Sequence, residues 1–179
     1  MKKFLVLGIL FILPIVMYLF FASAVDNFSK LPVLNTSIGT LQNFENLDKE
    51  KISFTDKITI LSFFGDSIIH KNGNAFNLNL KIYKKNHEFK DFQFVTVVPY
   101  GSEEEARELL YELGKITNIS GWKFLFGTRE NISSLFKSLK SPYELDDTMA
   151  TDYVFIVDKK GSLRGRDEDI EKNEEKVYG

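Results

Sequence analysis

The chain reads as an α/β domain with a central mixed, largely parallel sheet covered by helices on both faces, set behind an N-terminal apolar segment. Three observations predict this. Residues 58–64 (ITILSFF) and 92–98 (FQFVTVV) are near-continuous apolar runs, the pattern of strands buried on both faces. Amphipathic helical stretches alternate with these and later strands, and that alternation calls for a covered parallel sheet. Residues 4–25 carry no charge, and Lys2 and Lys3 stand immediately before them.

As a helix the uncharged stretch would reach about 33 Å, enough for a hydrocarbon core of about 30 Å. The two lysines belong on the cytoplasmic side, so residues from 26 onward are expected outside. A cleaved signal peptide is the alternative, because Ala22-Ser23-Ala24 has the small-residue spacing of a cleavage site. The apolar run exceeds a usual signal core, which favours a retained anchor. Both readings put the domain in one compartment. The expected location is the inner membrane of a bacterial cell, single-pass, with the C-terminal domain in the periplasm.

None of the 179 residues is cysteine. An exported domain without disulfides has to stand on its core alone. It is large enough to do so, and 17 phenylalanines supply the apolar volume. The net charge of −2 argues against nucleic acid as a partner, since binding phosphates takes a clustered cationic surface.

The expected organisation is an anchor or signal over residues 1–25, a tether with edge segments over 26–56, the domain over 57–166, and a charged tail over 167–179. Pro32 and Gly39 interrupt any periodicity in the tether, where residues 44–54 are expected to add an edge hairpin. After the first buried strand, Gly65 and Asp66 end the run. A helix is expected over 74–86, with Phe76, Leu80 and Tyr83 on one stripe. The second strand leads to a capping box, Ser102 and Glu105, followed by the apolar face Leu109, Leu110 and Leu113.

Trp122 opens a short strand over 122–126. Thr128 caps the next helix, whose face is Ile132, Leu135, Phe136 and Leu139 and which stops before Pro142. A strand over 153–157, the turn Asp158-Lys159-Lys160-Gly161 and a return strand at 162–164 close the order. Strand–helix alternation ending in an antiparallel hairpin defines a thioredoxin-like sandwich.

Five stretches in this order resemble the Sco/SenC family, membrane-anchored thioredoxin-like proteins that help load copper into cytochrome oxidase. They are ITILSFFG (58–65), FQFVTVVPYGSEEEARELL (92–110), GWKFL (121–125), the helix starting at Thr128, and YVFIVDKKGSLRGR (153–166). The last is the most specific. The resemblance covers residues 50–166 and the N-terminal anchor. It implies the fold, the location and a partner in the respiratory oxidase machinery.

The copper ligands do not carry over. Where the family has its cysteine pair, this chain reads Gly65-Asp66-Ser67-Ile68-Ile69-His70-Lys71-Asn72-Gly73. Where it has a histidine, the chain reads Thr148-Met149-Ala150-Thr151-Asp152. Copper(I) wants thiolate sulfur and imidazole, and Asp66 and Ser67 offer hard oxygen. Thiol–disulfide exchange is excluded for want of a thiolate.

Asp66, Ser67 and His70 are the one remaining candidate constellation, as nucleophile and base or as a rebuilt metal site. The simpler reading has Asp66 and Ser67 capping the following helix. His87 is expected to be solvated. Lys84, Lys85 and Lys90 are either a contact for anionic lipid or the plain exposed end of a helix. The acidic residues from Asp167 to Glu175 lack the glycine turn and ligand spacing of a calcium loop, and Arg164 and Arg166 are placed to pair with them. Trp122 and the phenylalanines are expected in the core, with an exposed aromatic patch for a partner as the other reading.

The sequence therefore predicts a non-catalytic binding or assembly module with a protein partner in the cell envelope. It assigns no catalytic, cofactor or metal residue and no cofactor. The alternatives are an enzyme or metal carrier with a rebuilt site around Asp66, Ser67 and His70, and a structural element of an envelope complex.

Overall fold

The computed structural model describes residues 2–22 and 31–165; the charged tail and Arg166 lie outside the described residues. Helix α1 (Lys2–Ala22) forms a unit of its own, with Pro14 inside it. Among the described residues, no helix is long and apolar enough to cross a membrane.

From Leu31 onward the chain forms one compact unit. Its strands are β1 (Val33–Asn35), β2 (Glu45–Asn46), β3 (Ile58–Phe64), β4 (Phe92–Pro99), β5 (Trp122–Gly127), β6 (Ala150–Val157) and β7 (Leu163–Arg164). They make a seven-stranded sheet in the order β1-β7-β6-β3-β4-β5-β2. β3, β4 and β5 run parallel, while β6 and β7 add antiparallel partners on the other side of β3. The buried runs thus lie at the centre, where a strand has neighbours on both edges and helices above and below.

Two edge segments depart from expectation. Residues 44–54 form no hairpin: only Glu45 and Asn46 are in strand, and they pair with Phe126 and Leu125 of β5. At the opposite edge Val33 and Asn35 pair with Arg164 and Leu163. A strand this short is chosen by the ladder beside it and leaves no periodicity of its own.

One face of the sheet presents Leu61, Phe63, Val95, Val97 and Phe155 to α5 (Arg129–Ser138), which returns Ile132, Leu135 and Phe136 as expected. Thr128 caps this helix, its Oγ1 accepting the N–H of Asn131 at 3.2 Å. The other face carries Phe64, Phe94, Phe124 and Trp122 against α2 (Asn72–Leu78) and α4 (Glu103–Gly114). Trp122 is core: it stacks on Phe94 at 4.3 Å, and its Nε1 donates to Thr96 Oγ1, which also shares a hydrogen bond with Ser62.

The single helix expected over 74–86 is three pieces, preceded by a fourth. A 3-10 turn (Ile68–Lys71) leads into α2, a π turn (Asn79–Tyr83) comes next, and α3 (Lys84–Asn86) ends it. A π turn inserts a residue and rotates the rest of the helix about its axis. Ala75, Asn79 and Tyr83 therefore point inward, and Leu80 is exposed. Tyr83 Oη accepts the N–H of Gly121, and burial pushes its hydroxyl pKa up.

Asn79 is fully buried, and neither polar atom of its amide has a hydrogen-bond partner. A buried amide without partners costs more than an apolar side chain of its size. Asn79→Leu is therefore expected to raise stability by about 1 kcal/mol, read as a higher urea midpoint with an unchanged slope.

The turn after β6 forms as predicted, with Gly161 at a φ of +74° and its N–H bonded to the Asp158 carbonyl. Arg164 binds Asp158, its Nε at 2.8 Å from Oδ2, while the tail it was expected to pair with lies outside the described residues. Asp158 also accepts from the N–H groups of Lys160 and Ser162, so its carboxylate organises the hairpin that Arg164 closes.

Candidate functional site

The C-terminal ends of β3 and β4 open toward two loops, and here the sheet brings together residues 65–70 and 148–152. Phe64 pairs with Ala150 across the sheet. Immediately beyond, the N–H of Asp66 donates to the carbonyl of Thr148 at 3.0 Å. The positions corresponding to sulfur and imidazole in the Sco family thus do face one another. Gly65 fits between them because it lacks a side chain: its φ is +74°, and a Cβ would lie 2.7 Å from Thr148 O.

Asp66 does not form a relay with Ser67 and His70. Its carboxylate turns to Arg129 at the start of α5, with Oδ2 2.8 Å from Nη2. The same guanidinium donates through Nη1 to the carbonyl of Asp147 at 2.8 Å. Arg129 therefore ties both loops of the mouth to α5. The His70 ring is exposed, and among the described residues no hydrogen bond joins the side chains of Asp66, Ser67 and His70.

The capping expectation also needs correcting. Ser67 occupies the cap position of the 3-10 turn and makes no side-chain cap bond. The free N–H of Ile69 is taken by Glu105 of α4, at 3.2 Å from Oε2. Glu105 is thus not part of a box with Ser102, whose side chain is buried and caps nothing. The first turn of α4 is supported by Glu103, which accepts the N–H of Gly101. A carboxylate beside a helix start is drawn to whichever N–H lacks a partner, and here that donor is on another element.

Asp146 holds the second loop. Its Oδ1 accepts the N–H groups of Thr148 and Ala150 and the Thr148 hydroxyl. Burial alone would push its carboxyl pKa up, but these hydrogen bonds outweigh it and the pKa is lowered. Asp152 is lowered too, chiefly by the Lys71 ammonium 2.6 Å away, with Asn74 donating to the same oxygen. The Lys71–Asp152 pair fastens the first mouth segment to β6.

This geometry sets two expected results. Asp66 and Arg129 are each about half exposed, at 44% and 49%, so solvent screens their pair. Arg129→Ala is expected to cost less than about 1 kcal/mol. The lowered pKa of Asp146 stabilises the fold above the unfolded-state value of about 3.9. That stability is lost as pH falls through the still lower folded-state value. The gap between the parent and Asp146→Asn, on the order of 1 kcal/mol at neutral pH, should narrow toward pH ~3 in urea titrations.

The donor set does not fit copper. Asp66 and Ser67 present oxygen only, the Asp66 carboxylate is engaged by Arg129, and His70 stands apart. Among the described residues, no group of three or more His, Asp or Glu side chains is placed to hold a metal ion. His87, expected to be solvated, is half-buried with Nδ1 2.9 Å from the carbonyl of Lys84. Sequence reasoning missed Arg129 and Lys71, since nothing local to them signals a partner many tens of residues away, and it missed Asp146, whose partners Thr148 and Ala150 lie only two and four residues on.

A mixed sheet of this order, helices on both faces and a mouth beyond its first central strand define a thioredoxin-like fold, in a sequence with no cysteine. No family model matches the chain, and no curated protein shows significant similarity to it. Solved structures do. An Aquifex aeolicus VF5 protein named for electron transfer has a TM-score of 0.58 at 17% identity, over 82% of this chain and 85% of that one. A thiol:disulfide interchange protein from Bacteroides sp. has a TM-score of 0.50 at 15% identity, over 74% and 79%. BsSco, of the Sco family of cytochrome c oxidase assembly proteins, is also a neighbour, at 0.48 and 15%, over 75% and 84%. Identities this low speak to fold alone.

Proposed function

We propose that the chain is a membrane-anchored, extracytoplasmic module of Sco-like fold that works by binding a protein partner and performs no copper or redox step. The anchor rests on the uncharged run of residues 4–25 behind Lys2 and Lys3. The partner class, the cytochrome oxidase assembly machinery, rests on the five sequence stretches resembling the Sco/SenC family.

One observation carries the reading. The two loops that would present sulfur and imidazole are instead tied to one another by the Asp66 N–H on the Thr148 carbonyl and to α5 by Arg129, while Asp146 braces the second loop from within. The mouth is a polar surface in which, among the described residues, no hydrogen bond joins Ser67 to a base, which suits recognition. Affinity isolation of the full chain from solubilised membranes is expected to recover oxidase subunits. Recovery abolished by charge reversal at Asp66, with folding retained, would place the contact at the mouth. A Cu(I) competition titration of the same material is expected to find no tight site, and nanomolar binding would overturn the reading.

A further inference from the structure

Several lysines without an acidic partner gather at one end of the domain, beside the ion pairs of Lys123 with Asp48 and Glu50 and of Lys159 with Asp91. At the mouth, Lys71, Arg107 and Arg129 are each paired with a carboxylate. At the opposite end, where β3, β4 and β5 begin, Lys51, Lys84, Lys85, Lys90 and Lys160 form no ion pair among the described residues. Lys57 joins them, its Nζ satisfied by the carbonyl of Lys90 and not by an acid. A cavity of about 520 Å³ at this end is lined by Lys51, Lys57 and Lys90 together with Glu50 and Glu88.

Phe89 stands at the rim of that cavity, 61% exposed. It is held there by its backbone: its N–H donates to the carbonyl of Asn86, and its own carbonyl accepts from Phe92. An exposed aromatic ring on a rim where Lys51, Lys57 and Lys90 outnumber Glu50 and Glu88 is ill-suited to bulk water. It suits the boundary between lipid headgroups and acyl chains, where apolar burial and attraction to anionic phosphates act together.

We propose that this base end docks on an anionic bilayer surface, with Phe89 entering the interface and Lys84, Lys85 and Lys90 on lipid phosphates. The proposal rests on the anchor reading for its strength. Between Ala22 and Leu31, where the compact unit begins, the chain can span at most about 30 Å. On the anchor reading so short a connection gives even a weak lipid-binding patch a high effective concentration. The base is the face whose charge matches. With its mouth end turned away from the lipid, the module would present the Asp66–Arg129 surface to its partner.

The absence of cysteine makes the test clean, because one introduced thiol is the only label site. Phe89→Cys and, as the control at the mouth end, Tyr100→Cys carry an environment-sensitive fluorophore on the full chain in nanodiscs. Discs of phosphatidylcholine alone are compared with discs holding about one third phosphatidylglycerol. The label at position 89 is expected to shift to the blue and gain about twofold in emission in the anionic discs, and to lose this in ~0.5 M salt. The label at position 100 should not respond.

The triple charge reversal Lys84→Glu, Lys85→Glu and Lys90→Glu should abolish the response with circular dichroism unchanged. Equal signals at position 89 in both discs, or equal responses at positions 89 and 100, would overturn the docking. A chain that fails to enter discs fails the anchor reading instead. It is then mixed with anionic vesicles of the same lipids, where a blue shift at position 89 sustains the docking and none rejects it.

Discussion

Gly65→Ala is expected to destabilise the fold by about 2–4 kcal/mol, a large share of what a domain of this size has to lose. Two costs combine. A φ of +74° is left-handed backbone, which an alanine adopts only with strain. The added Cβ would also lie 2.7 Å from both Thr148 O and Thr148 Oγ1 and 2.9 Å from Ala150 Cβ. The carbonyl cannot yield freely, because it accepts the Asp66 N–H while Asp146 holds the same loop by three hydrogen bonds. Urea unfolding of the variant reads the cost directly. A loss within ~0.5 kcal/mol would show that the two mouth loops are not packed as described.

Trp122→Ala should cost as much or more, about 3–5 kcal/mol. The indole is buried between Phe94, Tyr83 and Thr96, and its removal leaves a void that β5 and α4 are poorly placed to fill. Trp122→Phe keeps most of the volume and removes only the Nε1 donor to Thr96, whose hydroxyl still has Ser62. That variant is expected to lose about 1–2 kcal/mol. Equal losses from the two substitutions would mean that the hydrogen bond, not the packing, dominates the site. Because Trp122 is the single tryptophan, the emission of the parent protein reports this core without a label.

Much of the sheet was legible in the sequence, and the reason is visible in its centre. β3 and β4 are buried on both faces, so the apolar run is itself the signal, and the two parallel pairings come from the helices between them. The face of α5 was equally plain, since Ile132, Leu135 and Phe136 recur at helical spacing behind a threonine cap. Features decided by distant residues were not legible. The π turn at Asn79–Tyr83 departs from the period that was used to read the helix. Glu105 looked like the partner of Ser102 because local spacing was the only guide, while its real donor, Ile69, arrives from another helix.

The candidate site divides in the same way. The family resemblance singled out residues 65–73 and 148–152, and the pairing of Phe64 with Ala150 is what brings the two segments together. That Arg129 would take Asp66 away from His70 could not be read there, because a side chain's partner is a matter of tertiary placement. An apparent triad of polar residues close in sequence therefore became a clamp reaching across the fold.

The two flanks of the sheet have a further consequence. β1 is three residues long with an irregular register, and β2 is two. Each outermost strand thus offers an incoming chain only a few unpaired backbone groups before the ladder runs out. A phenylalanine-rich domain with no disulfide to keep it closed is a natural candidate for templated self-association. At β1 and β2 themselves fibril seeding finds almost no rungs to climb, so the flanks open to it are β6 before Ile156 and β5 before Leu125, which have no outer strand among the described residues.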